Sequence, residues 1–157
     1  MGYINPLFEN NKIVKNETQT KIDKPEPIIP RSIRKDKTHS IKFPVTPLMQ
    51  MKLKSQFKQA KRLGMSGKRG ELTQTKFNTY LLHFGLQHPH IIWWKDKYSD
   101  TKTYMHTNIL ETIYEAEIGG PHGLAIQKNL SERKVVYHII NSVLKWLEGE
   151  GSIEKIL

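Results

Sequence analysis

A chain of 157 residues with 37% apolar residues can build one small core with extensions, or two very small ones. It holds no cysteine, which excludes a disulfide scaffold, a cysteine-ligated zinc site and a cysteine nucleophile, and suits a reducing cytoplasmic setting. Its net charge of +10 and pI near 9.7 point to a polyanionic partner.

The charge is unevenly spread. Residues 1–38 carry eight Lys/Arg against five acids, residues 39–82 nine against Glu71 alone, and residues 83–157 eight against nine. Nearly all the excess therefore lies in one 44-residue stretch. A local basic field beside a near-neutral remainder favours nucleic acid over a uniformly solvated surface. No apolar run approaches the ~18 residues of a membrane span. The opening MGYINPLFENN has neither a secretory layout nor a myristoylation pattern, so a cytoplasmic location is expected.

In chain order, residues 1–38 are polar and proline-marked and are expected to form a disordered basic arm. Arg34, Lys35 and Lys37 close it and are candidates for phosphate contacts. HSIKFPVTP then alternates. Ile41, Phe43 and Val45 point one way, and Ser40, Lys42 and Pro44 the other, as in a half-buried strand. Thr46-Pro47 supplies an N-cap hydroxyl and a proline suited to the first helical position. The helix that follows has Met49, Leu53, Phe57 and Ala60 on one stripe and a row of lysines opposite, and Gly64 ends it. Lys68 and Arg69 sit in a loop with two glycines. A second helix is capped by Thr73, buries Phe77, Tyr80, Leu81 and Phe84, and is expected to end near Gly85.

Residues 87–157 read as helical throughout. An aromatic connector leads to a helix over HTNILETIYEAEIGG, then a GGPHG turn, then a long helix opened by Ser131 with Val135, Val136, Ile139, Ile140, Val143, Leu144 and Leu147 on a wide apolar face. GEGSIEKI after it has the look of a wing strand. No internal repeat is visible.

A lone seven-residue strand has two unpaired edges and is unstable. The economical solution is a homodimer in which two copies of the strand pair antiparallel and helices cover the apolar face. IKFPVTP, the glycine after the first helix and LTQTKFNTYLL together resemble the ribbon-helix-helix DNA-binding family of the Arc/MetJ/CopG type, over residues 39–86 only. The resemblance implies a mostly α fold: a dimeric two-stranded ribbon with its helices, followed by an α-helical oligomerisation or partner-docking domain at 87–157.

It further implies that Ser40, Lys42 and Pro44 contact bases in the major groove of double-stranded DNA. Thr73, Gln74 and Thr75 would hold a phosphate at a helix start, aided by Lys68 and Arg69. Ile41, Phe43, Val45, Leu53, Phe57, Phe77 and Leu81 would form the dimer core. Such proteins commonly act as transcriptional repressors of plasmids or other mobile elements. The alternative is a relaxosome or partition accessory protein whose C-terminal part recruits a relaxase or other DNA-processing enzyme.

No enzyme chemistry is expected. His83, His88 and His90 have no cysteine or carboxylate cluster to complete a metal site. Glu111, Glu115 and Glu117 read as solvated, and Trp93-Trp94 as packing residues. Neither cofactor nor metal is expected. The expected partners are double-stranded DNA, a second copy in a homodimer or tetramer, and no membrane.

Overall fold

The computed structural model describes residues 30–32, 34–64 and 70–157. The chain divides into Met1–Ser32 and Ile33–Leu157, and everything below concerns the second unit. Most of the expected N-terminal arm, together with Lys68 and Arg69, lies outside the described residues. No described helix is long and apolar enough to cross a membrane.

The fold is mostly helical with one small antiparallel sheet. Strand β1 (Thr38–Pro44) leads into α1 (Pro47–Arg62) and α2 (Gln74–Gln87). A 3-10 turn (Pro89–Ile91) and a loop follow. Strand β2 (Tyr104–Leu110) then runs into α3 (Glu111–Ile113), which widens into a π-helical turn over Tyr114–Gly119. Short α4 (Leu124–Gln127), long α5 (Glu132–Gly149) and a 3-10 turn (Ile153–Lys155) complete the chain.

Local chemistry explains the first half. Thr46 caps α1 by accepting from the Met49 amide at 3.2 Å, with Pro47 at the first helical position. Gly64, just past the end of α1, has φ +70°, which a residue with a Cβ rarely adopts. Thr73 caps α2 through the Lys76 amide at 3.3 Å.

The second half departs from its sequence reading. The helix expected over residues 106–120 begins as a strand instead. Met105, Thr107 and Ile109 are buried while His106, Asn108 and Leu110 are exposed, the period of two that a strand requires. Strand β2 takes the place expected for a second copy of β1. It pairs antiparallel with β1 from Thr38↔Leu110 to Pro44↔Tyr104, with Ile41↔Thr107 at the centre. The ribbon is therefore built within one chain, and residues 39–86 and 87–157 share a sheet rather than folding apart. GEGSIEKI, for all its likeness to a wing strand, forms a 3-10 turn over Ile153–Lys155.

Strand β1 is followed by α1 and α2, and β2 by α3 with its π-helical turn, α4 and α5. Helix α2 packs on β2, α5 packs on β1, and α2 packs on α5. The antiparallel register gives the two-stranded ribbon a local, approximate two-fold axis through the Ile41–Thr107 pair, with α2 packed on one strand and α5 on the other.

One core holds it together. Phe43, Val45, Leu53, Phe77, Leu81, Ile109, Val135, Val136, Ile139, Ile140 and Val143 have no exposed surface. Each large side chain so buried contributes about 1.5–3 kcal/mol. Ile41 is also buried, and Phe57 packs half-buried against the cluster. The residues expected to seal a dimer core seal an intrachain one.

Among the described residues, His138 on α5 is a buried polar group whose Nδ1 finds no hydrogen-bond partner. Desolvation pushes its pKa below the usual 6.5, with Asp96 opposing and Lys134 adding to the effect. Burial lowers that of His83 as well. Folding favours the neutral imidazole at both, so their contribution is present above about pH 6.5 and is lost as pH falls and the unfolded chain takes up protons first. Thermal melting followed by circular dichroism should show Tm falling between pH 7.5 and pH 5. His138→Leu should flatten that dependence; an unchanged slope would mean that other groups set it.

Candidate nucleic-acid interface

In an antiparallel ladder, alternate residues turn both backbone groups toward the partner strand or both away from it. The Asn78 amide on α2 donates to the His106 carbonyl at 3.1 Å, and the Asn108 amide donates to Thr79 Oγ1 at 2.9 Å. His106 and Asn108 therefore face away from β1, and α2 caps the outer edge of β2. Gln74 donates to Asn78 Oδ1 at 3.0 Å and Thr79 Oγ1 donates to the Thr75 carbonyl at 2.8 Å, which fixes both anchors.

The same parity settles Pro44. It sits opposite Tyr104, in phase with Lys42↔His106, so the amide that proline lacks would have pointed to the outer edge of β1. Pro44 is also buried, contrary to the exposed base-reading position expected of it. It lies where the ribbon closes into α1: the Val45 amide donates to the Thr103 carbonyl at 2.9 Å, and Thr101 Oγ1 donates to the Val45 carbonyl at 2.6 Å.

The ribbon thus has one apolar face on the helices and one open face. The centre of the open face carries Ser40 and Lys42 from β1, and His106 and Asn108 from β2, all exposed. Lys42 stands directly opposite His106 with no carboxylate at any of these four positions. A donor-rich strip without a neutralising acid suits an anionic, hydrogen-bonding ligand. Ser40 and Lys42 stand where the sequence placed them. His106 and Asn108 were missed, although the alternation in YMHTNIL carried the signal, because Leu110, Ile113 and Tyr114 also fit a helix.

The phosphate candidates divide. Thr73 spends its hydroxyl on the Lys76 amide, leaving the first-turn amides of Gln74 and Thr75 without an intrahelical partner. This turn holds no acid and begins about one helical turn (~5.4 Å) before the β2 anchors. Arg34 lies 3.6 Å from Asp36, Lys37 lies 3.4 Å from Glu111, and Lys35 is exposed.

The matching turn of α5 differs. Ser131 makes no capping bond, and Glu132 occupies the first turn. Glu132 accepts from the Tyr114 hydroxyl and lies 3.9 Å from His39 Nε2, while Glu111 lies 3.3 Å from His39 Nδ1. The His39 ring stacks on Tyr114 with centroids 3.7 Å apart. Burial first, then the Glu132 contact, pushes the Tyr114 hydroxyl up to about 12. This cluster ties β1 to α3 and α5. No group of three or more potential metal ligands occurs among the described residues.

Between the residues that follow α2 and the C-terminal half of α5, Ile91, Trp93 and Trp146 line a shallow groove, with Trp93 exposed. Trp94 packs half-buried against the core, its ring 6.0 Å from that of His138. Comparison of the chain with protein-family models, with curated proteins and with solved structures finds no match.

Proposed function

We propose that this chain binds double-stranded DNA sequence-specifically by inserting the open face of its ribbon into the major groove. The observation that carries this reading is the carboxylate-free strip of Ser40, Lys42, His106 and Asn108 on a two-stranded antiparallel ribbon, an element of the width the major groove admits. The excess of eight positive charges over residues 39–82 supports it, since phosphate neutralisation supplies much of the affinity of such proteins. So does the strand–helix–helix order at 38–87, which is the order of the ribbon-helix-helix resemblance. In this reading the first turn of α2 positions the backbone and the ribbon reads bases. Regulation of transcription on a plasmid or other mobile element is the biological role we favour.

The groove around Trp93 favours a second reading alongside it, in which the C-terminal half of α5 docks a DNA-processing enzyme delivered to the site.

The test is a pair of matched charge reversals in the full chain, read by fluorescence anisotropy on duplex DNA. Lys42→Glu puts a carboxylate on the open face and should weaken binding at least ~100-fold, the scale of one lost charged contact plus repulsion. Lys155→Glu changes net charge equally in the C-terminal 3-10 turn beyond α5, and should cost only the small loss that screening allows. Equal losses from the two variants would show that the ribbon is not the reading surface.

A further inference from the structure

We infer that one copy of the chain reads a non-palindromic duplex site, with Lys42 and Asn108 occupying equivalent positions and selecting different bases. The inference rests on the DNA-binding reading above and adds what kind of site is bound. A ribbon made from two copies of one strand shows the same side chains on both sides of its axis, so it reads an inverted repeat. This ribbon is complete in one chain and its two strands differ.

The approximate axis through Ile41↔Thr107 carries residue 40 onto 106 and residue 42 onto 108. Ser40 is therefore the counterpart of His106, and Lys42 that of Asn108. Lysine has only donors and matches the O6 and N7 acceptors of guanine. Asparagine has a donor and an acceptor and matches N6 and N7 of adenine. Chemically unlike readers at equivalent positions cannot favour the same base on both sides.

The backbone grip is unequal in the same sense. Residues 38–87, the first strand–helix–helix half, hold nine Lys/Arg and one acid, whereas residues 104–157 hold five and seven. The first turn of α2 is free of acids, and its counterpart on α5 carries Glu132. Phosphates on one side of the site are held by the first half, and the other side is held more loosely. That asymmetry fixes the orientation of the protein on the duplex, which a symmetric ribbon leaves two-fold degenerate.

Selection of duplexes bound by the full chain from a random pool, with native mass spectrometry of the complex, tests this. The expected result is a consensus without inverted symmetry and one chain per duplex. Lys42→Ala should relax preference at one position, and Asn108→Ala at a different, non-mirrored position, each by roughly 5- to 150-fold. Both side chains are exposed, so both variants should keep the wild-type melting curve. A palindromic consensus with two chains per duplex, or the two variants relaxing the same mirrored pair, overturns the inference and leaves DNA binding standing. Failure to enrich any duplex overturns the DNA-binding reading itself, and the inference falls with it.

Discussion

Gly85→Ala should destabilise the protein by about 1–3 kcal/mol, the usual cost of overpacking a close contact. Gly85→Leu should prevent folding at ambient temperature. Gly85 is buried near the end of α2, against α5, and a Cβ built on it would fall inside the Cγ2 methyl of Ile139 and 3.2 Å from that of Val143. The helices cannot simply separate. At its other end α2 is tied to the edge of β2 through Asn78 and Thr79, and α5 packs on β1. Relief at Gly85 would thus pull on the ribbon. Against a total stability of about 5–15 kcal/mol, that cost is large. The internal control is Gly149→Ala. Gly149 is the last residue of α5, nothing lies within 4 Å of a Cβ there, and alanine should be neutral or stabilising by up to about 1 kcal/mol. Opposite signs from one substitution, read by chemical denaturation, would confirm the close α2–α5 crossing. A neutral Gly85→Ala would refute it.

Gly85 also shows what the sequence could not disclose. A helix end was expected near it, and α2 does close two residues on, at Gln87, but the glycine itself marks a helix–helix contact. That role depends on Ile139, over fifty residues away. The first half was legible because its signals are local: alternation over Ile41, Phe43 and Val45, Thr46 before Pro47, and Gly64 at positive φ. The demand that β1 find a strand partner was legible too, from its unpaired edges. The identity of that partner was not, because pairing is a long-range choice and YMHTNIL satisfies both helical and strand spacing. The second half of the ribbon was missed for that reason, and His106 and Asn108 with it. Pro44 was misplaced for a related one. Alternation put it on the open face, and only the closure of the ribbon around Val45 and Thr103 accounts for its burial.

Raising salt from 50 to 200 mM should weaken binding to duplex DNA about a thousandfold or more, with a log–log slope near −5. The slope is about −0.9 for each phosphate neutralised, so this value corresponds to about six contacts. The first half has cations for them. Among the described residues, Lys42, Lys54, Lys58 and Arg62 have no carboxylate partner, and Lys35 adds a fifth exposed cation. Others are held in surface pairs: Lys52 with Glu148 at 2.9 Å and Lys61 with Glu71 at 2.8 Å. Exposed pairs of this kind are weak and can be traded for a phosphate. Glu71 is the one acid between residues 39 and 82, and its hydrogen bond and charge interaction with Lys61 hold its pKa below the ordinary carboxylate value. Glu71→Gln should therefore tighten binding at low salt and steepen the slope by up to about one unit as Lys61 is released. The gain should vanish at high salt, where the freed lysine is screened. Binding that changes less than about tenfold over the same salt range would mean that backbone neutralisation is not what the basic half is for. The eight-charge excess would then need another polyanion, or none, to account for it.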